Sequence, residues 1–189
     1  MPNFKLLPII AIAATSACME SDDADTTQAA LSFAELNILN ADLLDAATSA
    51  GTTPVDNIPD TGSATYDGTL FLTLQDGSED GVIGQAQMVS NFATDSITGN
   101  ADNFYDLEGN ATAGSLTLED GGFDRVVGLV SGEMNGNVTF AEGAMDVETA
   151  VVGNFSGTDA DYLSGVLVGE AAPTGADDIG VVGGFYLVD

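Results

Sequence analysis

The chain has 189 residues, enough for one domain and a short additional segment. It carries 30 Asp or Glu against 2 Lys or Arg and no His, a formal net charge of -28. Such a surface repels phosphate backbones and anionic headgroups, which argues against nucleic-acid partners and against membrane attachment through basic residues. Without His there is no Ser-His-Asp or Cys-His catalytic set and no imidazole metal site. A single Cys allows neither an intrachain disulfide nor a thiolate zinc cluster. Hydrophobic residues at 44% distinguish the chain from a disordered acidic tail.

Lys5 precedes the apolar run Leu6–Ala14. Spanning a bilayer takes about 20 apolar residues, so a basic residue before this shorter run reads as a secretory signal peptide over residues 1–17. The run ends in Thr15-Ser16-Ala17-Cys18. These residues resemble a bacterial lipoprotein cleavage box, with Thr15 standing where Leu is usual. The resemblance implies that Cys18 becomes the first residue and carries acyl chains, palmitate among them, and several chains together anchor stably. An ordinary signal peptide with an incidental thiol is the alternative. Met19, and not Asp, follows the Cys, which by resemblance to enterobacterial sorting favours the outer membrane, on its periplasmic or surface face. Loss of Lys5 with the signal would leave Arg125 as the one base against 30 acids. Screening over roughly 10 Å in a saline exterior blunts the self-repulsion of such a protein.

Residues 18–32 read as a solvated acidic tether, with Glu20, Asp22, Asp23 and Asp25 and little apolar content. Ser32-Phe33-Ala34-Glu35 has capping-box form, and Phe33, Leu36, Leu39, Leu43 and Ala47 follow at helical spacing up to Gly51. An amphipathic helix over about 33–48 and a proline-marked linker make up residues 33–61. The acidic polar face makes the helix a lid on the domain and not a membrane helix.

From residue 62 to 189 the helical period disappears, and short Val/Ile/Leu/Thr/Phe stretches alternate with Gly, Asp and Asn. Tyr66, Leu70, Leu72 and Leu74 share one strand face, opposite Thr65, Asp67, Thr69 and Thr73. Seven further strands fall near Val82–Asn91, Asp95–Ala101, Ala111–Glu119, Val126–Phe140, Val147–Gly157, Tyr162–Gly169 and Ile179–Val188. Connections too short for crossover helices make the sheet antiparallel. The expected fold is all-β, a single eight-stranded up-and-down β-barrel, because closure removes edges that so few Lys could guard. Glycines inside strands, such as Gly68, Gly84, Gly128, Gly165, Gly183 and Gly184, suit its coiling. A sandwich is the alternative architecture. The Asn135-Gly136 pair could form a hairpin that splits the fifth strand.

Within this region stand Pro59-Asp60-Thr61-Gly62-Ser63-Ala64-Thr65-Tyr66-Asp67-Gly68, Gly84-Gln85-Ala86-Gln87-Met88-Val89-Ser90-Asn91-Phe92 and Ser96-Ile97-Thr98-Gly99-Asn100. Leu167-Val168-Gly169-Glu170-Ala171-Ala172 and Ile179-Gly180-Val181-Val182-Gly183-Gly184-Phe185 follow. In this order, over about residues 58–189, they resemble the barrel domain of the transferrin-binding protein B family, lipid-anchored proteins of Gram-negative bacteria. The resemblance implies an eight-stranded barrel and a binding protein, since family members bind host proteins or haem through loops and accessory subdomains. This chain departs from the two-lobed receptors in having one barrel and no handle subdomain. No transferrin-contacting residue maps onto it.

The acidic clusters Asp76, Glu79 and Asp80, then Asp102, Asp106 and Glu108, are calcium candidates, because hard cations take carboxylate and carbonyl oxygens. Asp177 and Asp178 form a third group. None follows the Asp-x-Asp-x-Asp-Gly pattern, and solubility explains the same acids. A carboxylate-pair hydrolase lacks any specific signal among thirty acids, and no Gly-rich loop ends in a phosphate-binding Lys. Arg125 could clamp a carboxylate or haem propionate, or pair with neighbouring Asp120 or Asp124. The aromatics Tyr66, Phe71, Phe92, Phe104, Tyr105, Phe123, Phe155, Tyr162, Phe185 and Tyr186 could line a pocket or fill the barrel, and filling is the default at eight strands. The sequence thus reads as a non-enzymatic lipoprotein, held at the membrane by its lipid, whose barrel loops bind a protein or small ligand. A calcium-stabilised structural or adhesion module is the alternative.

Overall fold

The computed structural model describes residues 29–173 and 177–189. The signal segment, Cys18 and the tether up to residue 28 lie outside the described residues. Ser32 opens helix α1 (Phe33–Ala50) with a reciprocal cap: Glu35 N–H donates to Ser32 Oγ at 3.4 Å and Ser32 N–H donates to Glu35 Oε2 at 2.8 Å. Gly51, at φ 71°, ends it in the left-handed region where L side chains are strained.

Eight strands follow: β1 (Ser63–Leu74), β2 (Gly81–Asn91), β3 (Ser96–Asp106), β4 (Gly114–Asp124), β5 (Leu129–Phe140), β6 (Gly143–Ser156), β7 (Tyr162–Pro173) and β8 (Ile179–Val188). Each pairs antiparallel with the next, and β1 pairs with β8 through Leu70 opposite Phe185, so the sheet closes into a barrel. The two-residue period decides which side chains enter. In β6 Met145, Val147, Thr149, Val151 and Phe155 are buried while Asp146, Glu148, Ala150 and Val152 face out. The register shifts between Ile83 and Gln85, between Ile97 and Gly99, and between Glu119 and Gly122. These bulges add the local twist that a small barrel needs.

One alternative is not adopted and one strand bound is corrected. Asn135-Gly136 does not turn: both lie inside β5, opposite Thr117 and Leu116 of β4. A Cβ on residue 136 would fall 2.1 Å from the Ser115 carbonyl oxygen, so glycine serves the close approach of β4. The fifth strand begins at Leu129 and not Val126, because Gly128 N–H donates to the Asp124 carbonyl at 2.7 Å and closes a turn over 125–128.

The linker before β1 is packed. It contains a single 3-10 turn, Val55–Asn57, and Thr53 binds the β6 end through Phe155 O at 3.0 Å and Gly157 O at 2.9 Å. Ile58 is buried with the barrel core. Helix α1 lies along the outer wall. It buries Leu36, Leu43 and Ala47, and Gly68 of β1 leaves the space that Leu43 approaches. The structure therefore makes the helix a strap on the barrel side, consistent with burial of its apolar stripe.

Candidate functional site

The barrel interior holds one contiguous cluster of inward side chains, from Leu72, Leu74, Val82 and Phe140 at one end to Tyr66, Phe92, Phe123 and Phe155 at the other. The rings of Phe123 and Phe155 meet edge to face at 5.2 Å, with Phe92 5.9 Å from each. Aromatic pairs favour such tilted contacts. Tyr66 OH donates to the Ala160 carbonyl at 2.8 Å beside this group, and burial, with Asp189 and Asp161 adding, pushes its phenol well above the usual range. Of the aromatics considered in the sequence, Phe71, Tyr105 and Tyr186 sit on the outer wall: Phe71 packs with Tyr186 at 6.5 Å, and Tyr105 with Phe33 of α1 at 6.1 Å. Phe104 and Phe185 join the inward rings, which contribute to filling and not to a cleft, whereas Tyr162, half-buried at the start of β7, lies outside this cluster.

At the aromatic end Arg125 joins three segments. Its Nε donates to Asp95 Oδ1 at 2.5 Å, one terminal nitrogen donates to the Pro59 carbonyl at 2.9 Å and to Asp60 Oδ1 at 3.3 Å, and the other to the Phe92 carbonyl. Its guanidinium also lies 5.2 Å from the Phe123 ring centroid. The expected partners Asp120 and Asp124 are not used. Asp124 instead accepts from Val126 N–H at 2.6 Å, and Asp120 takes φ 49° in the β4 bulge. The base is thus an internal latch on the linker and on the β2–β3 and β4–β5 turns. Directly beyond it, Val126 and Val127 are 84% and 62% exposed.

The calcium candidates are dispersed. Asp76 accepts from Ser78 N–H and Oγ–H at 2.8 and 2.6 Å, which holds its carboxyl below the usual carboxylate range through first the hydroxyl and then the amide. Asp80 Oδ2 accepts from Ala141 N–H at 2.8 Å, and Glu79 occupies φ 60° in the β1–β2 turn. Asp106 is likewise lowered by the Asn110 side-chain amide, then by its N–H, both at 2.8 Å. Asp102 and Glu108 are exposed on β3 and in the β3–β4 turn, and Asp177 and Asp178 are exposed before β8. Among the described residues no three acids gather as a metal-holding group.

Two features had no clear signal in the sequence. Gln85 and Asn103, brought side by side across the β2–β3 bulge, hold the segment before α1. Gln85 binds Ala29 O and Leu31 N at 3.0 Å each, and Asn103 Nδ2 donates to Leu31 O at 2.7 Å. On the far wall a groove of about 570 Å³ runs over β5, β6 and β7, lined by Glu133, Asn135, Glu148, Ala150, Val168 and Glu170. Period-two alternation assigns these residues to the outside, but only the register, Glu148 opposite Glu170 and Ala150 opposite Val168, brings them together.

These features define a closed, side-chain-filled eight-stranded barrel whose accessible surfaces are its ends and outer wall. No protein-family model matches the chain, and no curated protein matches it significantly. Among solved structures it is similar to a single mutant of the vaccine antigen transferrin binding protein B from Haemophilus parasuis Hp5. The identity is 18% and the TM-score 0.49, over 73% of this chain and 29% of that one. A double mutant of the same antigen gives 19% identity and a TM-score of 0.46, over 73% and 28%. The chain spans less than a third of the length of either.

Proposed function

We propose that the chain is a non-enzymatic lipoprotein of the outer membrane, anchored by acyl groups on Cys18, whose barrel loops bind a protein or small ligand. One observation carries the binding reading: the β4–β5 turn presents Val126 and Val127 to solvent while Arg125 beneath them is tied to Asp95, Pro59, Asp60 and Phe92. Apolar side chains on a rigidly held turn lose little entropy on binding, which favours a docking role over a solvated tip. The inward cluster leaves loops and walls as the surfaces available to a ligand. Support for the anchor is the Leu6–Ala14 run followed by Thr15-Ser16-Ala17 and the single Cys18. The clasp of Gln85 and Asn103 on residues 29–31 suits a domain whose tether leaves from a fixed point on its wall.

Binding is tested by native mass spectrometry of the protein from its own host, beside Val126→Ser/Val127→Ser. The expected result is a co-purifying component that the double variant loses. Equal retention by the variant would contradict the loop reading. The anchor is tested by Cys18→Ser: lipid labelling and membrane fractionation should both disappear, and unchanged labelling would contradict it.

A further inference from the structure

The outer wall of β6, β7 and β8 carries a graded strip that the loop reading does not use. Val152 lies opposite Val166, Ala150 opposite Val168, and Glu148 opposite Glu170 on successive outward rungs, with Val182 of β8 beside Val168. The four valines are 45%, 53%, 56% and 37% exposed in the order Val152, Val166, Val168, Val182. Strand propensity alone would be met by Thr, so four contiguous outward valines are not required by the fold. Contiguous exposed apolar side chains on a soluble surface mark interaction sites. At the other end of the strip two carboxylates face each other directly, a destabilising like-charge rung that Arg125, the one base among the described residues and placed at the opposite barrel end, does not neutralise. From Val152 to Glu148 the strip spans roughly 13 Å at the usual rise of a strand.

We infer that this wall docks a basic polypeptide partner, whose aliphatic or aromatic anchor covers the valines and whose Lys or Arg groups neutralise Glu148 and Glu170. Charge complementarity selects that occupant. A second copy of a chain with net charge -28 would bring carboxylates against carboxylates, and anionic headgroups would be repelled in the same way. Because the barrel is closed, the strip offers no free edge for strand addition, so recognition uses side chains.

The experiment uses the full chain with Cys18→Ser, methyl-labelled at Val, and a nonapeptide with a Val-rich half and a Lys-rich half. A comparison peptide replaces its Val by Ser. The expected result is saturable movement of the Val152, Val166, Val168 and Val182 methyl signals. Glu148→Gln/Glu170→Gln and Val166→Ser/Val168→Ser should each weaken binding about tenfold, as should the Ser-for-Val peptide. The Gln pair removes a repulsive rung, so its melting temperature should not fall below that of the parent protein. Val126→Ser/Val127→Ser should bind the peptide unchanged, which separates this wall from the loop end. Equal binding of the Ser-for-Val peptide, or loss of binding in the Val126/Val127 variant, would overturn the inference. So would movement of the same methyls with protein concentration alone, the mark of a second copy.

Discussion

Arg125 donates Nε–H to Asp95 at 2.5 Å, across thirty residues, and the same guanidinium binds the Pro59 and Phe92 carbonyls. The pair is partly exposed, at 28% for Arg125 and 43% for Asp95, so the ion pair itself contributes at most about 1 kcal/mol. The carbonyl bonds add about 1 kcal/mol each. Arg125→Met should therefore cost about 1–3 kcal/mol, seen as a drop in melting temperature. Arg125→Lys should recover only part, because a point charge cannot reproduce the fork. An unchanged melting temperature in Arg125→Met would show that the latch contributes nothing.

Gly165 faces Phe185 across β7 and β8, and Gly153 across β6 and β7. A Cβ at residue 165 would lie 2.3 Å from the Val152 carbonyl oxygen and 2.7 Å from Phe185 Cζ. Gly165→Val should destabilise the barrel by about 3 kcal/mol or prevent folding. Adding Phe185→Leu should not rescue it, since the clash with the Val152 backbone remains. Denaturant unfolding checks both variants, and wild-type stability in either would refute the close approach.

Self-repulsion in a chain with net charge -28 should fall as salt shortens the Debye length from about 10 Å at 0.1 M to about 3 Å at 1 M. Melting temperature should rise through that range. Calcium should add nothing beyond magnesium at equal concentration, because Asp76 and Asp106 already spend lone pairs on Ser78 and Asn110. A calcium-specific rise at millimolar concentration would instead favour the calcium-stabilised module.

The pH profile has two flanks with opposite signs. Glu35, Asp76 and Asp106 are held below the usual carboxylate value by their hydrogen bonds, so the unfolded chain takes up these protons first. Their contribution is complete above the unfolded values, 3.8 for Asp76 and Asp106 and 4.5 for Glu35, and is lost as pH falls through the folded values. Tyr66 is raised above 10.0 by burial and by Asp189 and Asp161, so its contribution is complete below pH 10.0 and is lost as pH rises beyond it. Chemical denaturation from pH 8 to 11 should show that alkaline loss, shallower in Tyr66→Phe. Equal slopes in the two proteins would contradict the burial of this phenol.

The barrel was legible because its cause is local. Tyr66, Leu70, Leu72 and Leu74 alternate with polar residues, and short turn-rich connections force antiparallel neighbours. The helix start was legible for the same reason, in the Ser32–Glu35 pair. What depends on register was not. Alternation on single strands does not align Glu148 with Glu170, and bulges at Gly84 and Asp120 break the two-residue count. Arg125 looked local because Asp120 and Asp124 flank it, whereas the turn over 125–128 aims its side chain at Asp95 and the linker. Val126 and Val127 read as strand residues for their branching, although Gly128 closes the turn that exposes them.

Met88, Met134 and Met145 point inward and are 0%, 0% and 1% exposed, which makes their methyl groups direct reporters of the barrel interior. A carbon-13 methyl spectrum recorded under xenon pressure and again with a fatty acid tests whether that interior can hold a guest. A barrel filled by its own side chains, with binding left to its loops and wall, predicts that these three signals stay in place. Saturable shifts of the three, with the outward valines unmoved, would show an interior ligand site and contradict it.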